Sequence, residues 1–112
     1  MKIAISSTDK NIESSVSDVF GRCPYFIIAE IQDGKIEKTE VVENASTDQT
    51  RGADISVAQL LAEKNINTVI TGSVGPRALD VLKQFNIEVS SGKGKVKDVI
   101  QKFIDRKFKK IN

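Results

Sequence analysis

The stretch Asn67-Thr68-Val69-Ile70-Thr71-Gly72-Ser73-Val74-Gly75-Pro76-Arg77-Ala78-Leu79-Asp80-Val81-Leu82-Lys83 decides how the rest of the chain is read. Thr68–Thr71 is a short β-branched run of the kind that forms a buried strand. Gly72 and Gly75 free the backbone for a tight turn, and Pro76 suits the first position of a helix. Ala78, Leu79, Val81 and Leu82 then recur at helical spacing. A strand, a glycine-bearing turn and a helix start leave backbone N–H groups facing one spot, an arrangement that suits an anion. The same pattern also describes an ordinary strand-to-helix connection.

Working outward, the chain opens with a strand at Lys2–Ser6 and enters the polar loop Ser7–Ser15. Val16–Phe20 has the spacing of a short helical turn, stopped by Gly21. Tyr25–Ile31 reads as a second strand, and Asp33-Gly34 is a hairpin signal that returns the chain as a third, antiparallel strand over Lys35–Val42. After the polar loop from Glu43 to Arg51, helical periodicity begins at Ala53, with Asn65 near its stop. The decisive strand and the helix Pro76–Phe85 follow, then a short strand at Ile87–Val89. The glycine-rich loop Ser90–Gly94 leads to a last helix, whose Val96, Val99, Ile100, Phe103 and Ile104 form an apolar stripe. Its basic end, Arg106–Lys110, reads as a solvated last turn that favours the negative end of the helix dipole.

An antiparallel hairpin followed by crossovers implies an α/β protein: a mixed five-stranded sheet with helices on both faces. Right-handed crossovers place the later strands on the far side of the first, giving the order 3-2-1-4-5. Ligands of open α/β sheets bind where neighbouring strands lead the chain to opposite sides, here at the carboxyl ends of strands 1 and 4. Ser6, Ser7, Thr71, Gly72 and Ser73 are expected there.

Composition bounds the function. The 112 residues are 39% hydrophobic and 29% charged, as expected of one compact domain spanning 1–112. A net charge of +2 is too small to mark a nucleic-acid binder. No apolar run approaches membrane-spanning length, and Met1–Ile5 is too short for a secretory core, so a cytoplasmic protein with no membrane partner is expected. Cys23 is the only cysteine and there is no histidine. The missing histidine excludes serine–histidine and cysteine–histidine catalysis, histidine metal ligands and histidine proton shuttles.

With these pieces placed, the chain resembles the dinitrogenase iron–molybdenum cofactor biosynthesis family, the small domain of NifX and of the end of NifB. The resemblance runs over essentially the whole length. It rests on the opening Lys2-Ile3-Ala4-Ile5-Ser6-Ser7, on Phe20-Gly21-Arg22-Cys23-Pro24-Tyr25-Phe26, on Arg51-Gly52-Ala53, on Gly72-Ser73-Val74-Gly75-Pro76-Arg77-Ala78 and on Gly92-Lys93-Gly94-Lys95-Val96. It implies a three-layer α/β/α ribonuclease H-like fold and a carrier that transiently binds an iron–molybdenum or other metal–sulfur cluster, as in anaerobes. Implied partners are cluster donor or acceptor proteins, with an iron–sulfur carrier ATPase a candidate. A monomer or weak dimer is expected. Relatives often carry histidines in the loop that here reads Ala-Ser-Thr-Asp-Gln-Thr-Arg-Gly over residues 45–52, so other groups must hold any cluster.

The candidate cluster-binding residues are Ser6, Ser7, Gly21, Arg22, Cys23, Arg51, Gly52, Gly72, Ser73 and Gly75. Cys23 is the one soft ligand on offer, and equally a small core residue at a strand start; one thiolate holds a cluster only loosely, where stable clusters take about four. Arg22 either makes fork-shaped contacts to an anion or braces Asp18. Arg51 closes the crevice from another loop or is simply solvated. Arg77 is a weaker candidate. The glycines either admit a close ligand or serve only the backbone.

Enzyme readings fare worse. A two-metal nuclease needs carboxylates at the tips of the central strands, and Ile5-Ser6-Ser7 and Thr71-Gly72-Ser73 supply none. Gly92-Lys93-Gly94-Lys95 does not match a phosphate-binding P-loop. Two classes remain: a non-catalytic carrier of an anionic metal–sulfur cluster, and an interaction or regulatory module acting on a carrier ATPase.

Overall fold

The computed structural model describes residues 1–44 and 53–107. Five strands form one mixed sheet in the order β3-β2-β1-β4-β5. They are β1 (Lys2–Ser7), β2 (Tyr25–Gln32), β3 (Lys35–Glu43), β4 (Thr68–Thr71) and β5 (Glu88–Ser91). The helices are α1 (Ala53–Glu63), α2 (Pro76–Gln84) and α3 (Val96–Lys107). β1 pairs antiparallel with β2 and parallel with β4, so the expected order and directions hold.

The alternation of side chains along the strands builds two cores, one on each face of the sheet. Ala4, Phe26, Ile28 and Val69 point to the face covered by α1 and α2, where they meet Val57, Leu61, Ala78 and Leu82. Ile3, Ile5, Ile27 and Ile70 point to the other face, against Val96, Val99, Ile100 and Ile104 of α3.

Both α1 and α2 stop by one device. Asn65 (φ 62°) and Asn86 (φ 60°) take the left-handed conformation, which a short polar side chain tolerates better than most. The N–H groups of Ile66 and Ile87 then reach back to the carbonyls of Leu61 (3.2 Å) and Leu82 (2.9 Å). Each isoleucine packs in the same core cluster as the leucine it bonds, which fixes the angle at which the chain re-enters the sheet.

The hairpin turn is as read, with Asp33 at φ 54° and Gly34 at φ 76°. β3 is an edge strand. Ile31 pairs with Ile36 and Glu30 with Lys38, so Glu37 is an extra residue that bulges the edge. A bulge and charged side chains of this kind discourage pairing with a second sheet.

Two expectations need correction. Val16–Phe20 is not a helical turn: Ser15 and Val16 form isolated bridges with Lys95 and Ser7, and the chain continues in bends. β5 runs to Ser91, beyond the expected Val89, because Ser90 and Ser91 pair in register with Ile70 and Thr71. Serine's weak strand preference is overridden by that pairing.

Candidate functional site

The carboxyl ends of β1 and β4 are not an open crevice. A strap formed by residues 16–20 crosses them from one core to the other. Val16 lies in the core under α3, whereas Phe20 lies in the core under α1 and α2, edge-on to Phe26 at 5.6 Å between ring centres. Between them, Ser17 N–H donates to Ser6 O (2.8 Å) and Gly72 N–H donates to Ser17 O (3.0 Å). Gly72 makes this possible: a Cβ there would stand 2.6 Å from Asp18 Cα and 3.0 Å from its carbonyl oxygen. The hydroxyl of Ser73 completes the seam by donating to Asp18 O at 2.6 Å.

The strap changes the roles of several expected site residues. Ser6 and Ser7 are fully buried. The Ser6 hydroxyl donates to Ser17 O (3.1 Å) and sits 2.7 Å from the Thr71 hydroxyl, and Ser7 Oγ donates to Asp9 O (2.7 Å). Neither faces a ligand. The Gly72 N–H is taken by the strap, so the glycine serves the chain's own backbone. Ser73 and Gly75 remain exposed at the rim.

Cys23 occupies the core under α1 and α2 at zero exposure. Its thiol donates to Phe20 O at 3.3 Å, and burial pushes its pKa up to about 12. Placed thus, it matches the core cysteine of the two readings: buried and protonated at neutral pH. Gly21 is buried and Arg22 exposed beside it. The loop they share is pinned by Asn44, whose side-chain amide donates to Gly21 O (3.0 Å) and Cys23 O (2.8 Å) while its N–H donates to Pro24 O (3.0 Å). Asn44 is a positioning residue that the sequence pattern did not single out. Arg51 and Gly52 lie outside the described residues.

The two helix starts at this end of the sheet differ. At α3, Val96 and Lys97 donate their N–H groups to Ser14 O (2.8 Å) and Ile12 O (2.9 Å), so the loop before the strap caps that helix. Glu13 ties the loop down through Lys97 at 2.7 Å, a contact that holds its carboxyl below the usual range. α2 begins at Gly75 and Pro76 with no side-chain cap, leaving its positive end facing the rim that holds Ser73 and Arg77. Among the described residues no three His, Cys, Asp or Glu side chains gather to hold a metal ion.

Across the strap, on the α3 side, lies a cleft of about 370 Å³. Its floor and walls are Ile70, Gly72, Val99 and Phe103 with the β5 end Ser90-Ser91 and Gly92 after it, and its cations are Lys93, Lys102 and Arg106. No helix among the described residues is long and apolar enough to cross a membrane.

Comparison with known proteins points one way. The family model described as dinitrogenase iron–molybdenum cofactor matches residues 1–106. An uncharacterized protein of Methanocaldococcus jannaschii is 32% identical over 112 residues, covering 99% of this chain and 92% of the relative. The high-resolution structure of the apo form of the orange protein of Desulfovibrio gigas superposes with a TM-score of 0.86 at 30% identity, over 94% of this chain and 88% of that one. A candidate NifB protein of Thermotoga, solved by NMR, matches with a TM-score of 0.76 at 35% identity, over 91% and 85% of the two chains.

Proposed function

Because the chain belongs to the dinitrogenase iron–molybdenum cofactor family, we propose that it is a non-catalytic carrier of an anionic metal–sulfur cluster. The cluster is cargo, held at the rim on the α1–α2 side of the strap. One observation carries the reading: the strap and Asn44 hold the Arg22 loop at the end of the sheet where α2 starts uncapped. Backbone N–H groups and guanidinium groups attract an anion without ligating it. The donor set supports capture of that kind. The thiol of Cys23 is buried and protonated, and ligation by it would require the core to open.

Non-covalent holding suits a protein that must give its cargo away, because release breaks no metal–ligand bond of its own. The donors and acceptors implied are other cluster-handling proteins. The competing class, an adaptor acting on a carrier ATPase, makes no use of an anion-friendly rim.

Anaerobic reconstitution with iron, sulfide and molybdate, followed by desalting and metal analysis, tests the proposal. Wild type should retain metal and gain colour. Arg22→Ala should lose roughly tenfold to a hundredfold in affinity, the worth of one charge-assisted contact. Cys23→Ser should retain metal as wild type does. If wild type retains no metal under any loading condition, the carrier reading fails and the adaptor reading replaces it.

A further inference from the structure

We infer that the cleft between β5 and α3 is a second binding site, for a small phosphomonoester whose body is flat and apolar. The cleft lies on the α3 side of the sheet and reaches Gly72 beside the strap; the carrier reading makes no use of its cations. Val99, Lys102, Phe103 and Arg106 fall at i, i+3, i+4 and i+7 on α3, so they form one stripe along the side of the helix that faces the cleft. The stripe alternates apolar and cationic side chains. Lys93 adds a third cation from the loop before α3, and no carboxylate lines the cleft.

Among the described residues the cations are not spent on ion pairs. The ion pairs among the described residues join Lys38 to Glu30, Lys64 to Glu40, and Lys95 and Lys97 to Glu13, leaving Lys93, Lys102 and Arg106 without a carboxylate there. Lysines and arginines that merely solubilise a helix need no shared concavity. These three surround one, and its base is apolar. Ile70 and Val99 are buried at 2% and 6% exposure, while Phe103 is half-buried and turned to the same cleft.

Gly92 brings the two sides together. A Cβ there would meet Ile70 Cγ2 at 2.8 Å and Val99 Cγ1 at 3.1 Å, so only glycine lets the loop lie flat on the apolar floor. Its N–H is anchored to Thr71 O at 3.1 Å, and Ser90, paired with Ile70, carries its side chain on the sheet face that lines the cleft. Three cations with the Ser90 hydroxyl match a doubly charged phosphate. The Ile70–Val99–Phe103 floor matches an apolar body, which inorganic phosphate lacks. The volume of about 370 Å³ lies at the small end of the ~300–1,000 Å³ usual for ligand sites.

The test uses 1-naphthyl phosphate as probe, with inorganic phosphate and 1-naphthol as its two halves, titrated into isotope-labelled protein and followed by amide NMR. Binding should move the amides of Ser91, Gly92 and Phe103, and naphthyl phosphate should bind at least tenfold more tightly than either half. Lys102→Gln and Arg106→Gln should each weaken it about tenfold, the low end for a charge-assisted contact. Both side chains are exposed on the helix, so neither change threatens folding. Vesicles of phosphatidic acid against phosphatidylcholine separate a soluble ligand from a lipid headgroup carrying the same phosphate. Retention on the former alone would overturn the small-molecule assignment. Equal binding of inorganic phosphate would reduce the site to a counter-ion cluster, and equal binding of naphthol to a greasy groove. Shifts confined to the Arg22 rim, unchanged affinity in both variants, or no binding at all would also overturn the inference.

Discussion

Replacing Gly72 by alanine should unsettle the fold rather than merely a binding surface. The added methyl carbon would stand 2.6 Å from Asp18 Cα, 3.0 Å from Asp18 O and 3.1 Å from Asp18 C. All three are backbone atoms, so no rotamer change relieves the clash, and the strap must move away from β4. Overpacking of a well-packed interior costs about 1–3 kcal/mol. Displacing the strap also stretches the bonds from Gly72 N–H to Ser17 O and from Ser73 Oγ to Asp18 O. Each is worth about 1 kcal/mol when lost. If both bonds are lost, the expected destabilisation is about 3–5 kcal/mol, a large part of the ~5–15 kcal/mol that a domain has. Urea unfolding followed by far-UV circular dichroism reads it as a lower midpoint at unchanged slope. Gly75→Ala is the control. Gly75 sits at φ −71°, ψ 162°, which any residue adopts, and alanine there should cost under about 1 kcal/mol, as the poorer N-cap. If Gly72→Ala unfolds within about 0.5 kcal/mol of wild type, the strap is not packed as described and Gly72 returns to being a candidate ligand contact.

Other outcomes follow from single contacts. The Thr68 hydroxyl is buried with no hydrogen-bond partner, so Thr68→Val should stabilise by about 1 kcal/mol in the same urea assay. Asn86→Gly should stabilise by a few tenths to about 1 kcal/mol, because glycine accepts φ 60° more readily, and thermal melts check it. The Cys23 pKa is raised by burial from 9.0 to about 12. A thiol that holds its proton more tightly when folded contributes stability that is fully present below pH 9. That contribution fades as pH rises toward 12, so unfolding midpoints should fall over that window in wild type and less in Cys23→Ala. At neutral pH a disulfide reagent should label Cys23 only as fast as the core opens, and at once in urea.

Much of the architecture was legible because it follows from patterns that side chains carry. The Asp33-Gly34 turn set the hairpin, and the handedness of crossovers then left one side of β1 for β4 and β5. The apolar stripe of α3 was equally plain. The strap was not legible. Val16, Val19 and Phe20 have helical spacing, yet the structure sends Val16 to one core and Phe20 to the other, and leaves Val19 47% exposed. What holds the segment is hydrogen bonding of its own main chain, to the backbone of Ser6 and Gly72 and to the Ser6 and Ser73 hydroxyls, and no side-chain pattern announces such bonds. Asn44 escaped notice for the same reason: it reads as a loop residue until its amide is seen to join two carbonyls twenty-one and twenty-three positions away. Lys102 and Arg106 lay within a helix whose basic end read as solvated, since the cleft they border is formed by β5 and α3 together.

The strap also decides what kind of site this end of the sheet can be. In an open α/β sheet the switch point between β1 and β4 is the natural ligand crevice. Here that place is filled by the chain itself, with Ser6, Ser7 and Thr71 all buried beneath it. In the proposed readings, ligand recognition is moved outward to either side. On one side the exposed groups are Arg22, Ser73 and the uncapped start of α2; on the other they are the cations and apolar floor of the cleft. Both present cationic or N–H groups over a packed core, and among the described residues neither gathers three carboxylates or thiolates to fix a metal in place. As proposed, the rim would hold its cluster by charge and shape and give it up when a partner presents a set of metal ligands, whereas the cleft would hold a phosphomonoester and release it by simple dissociation.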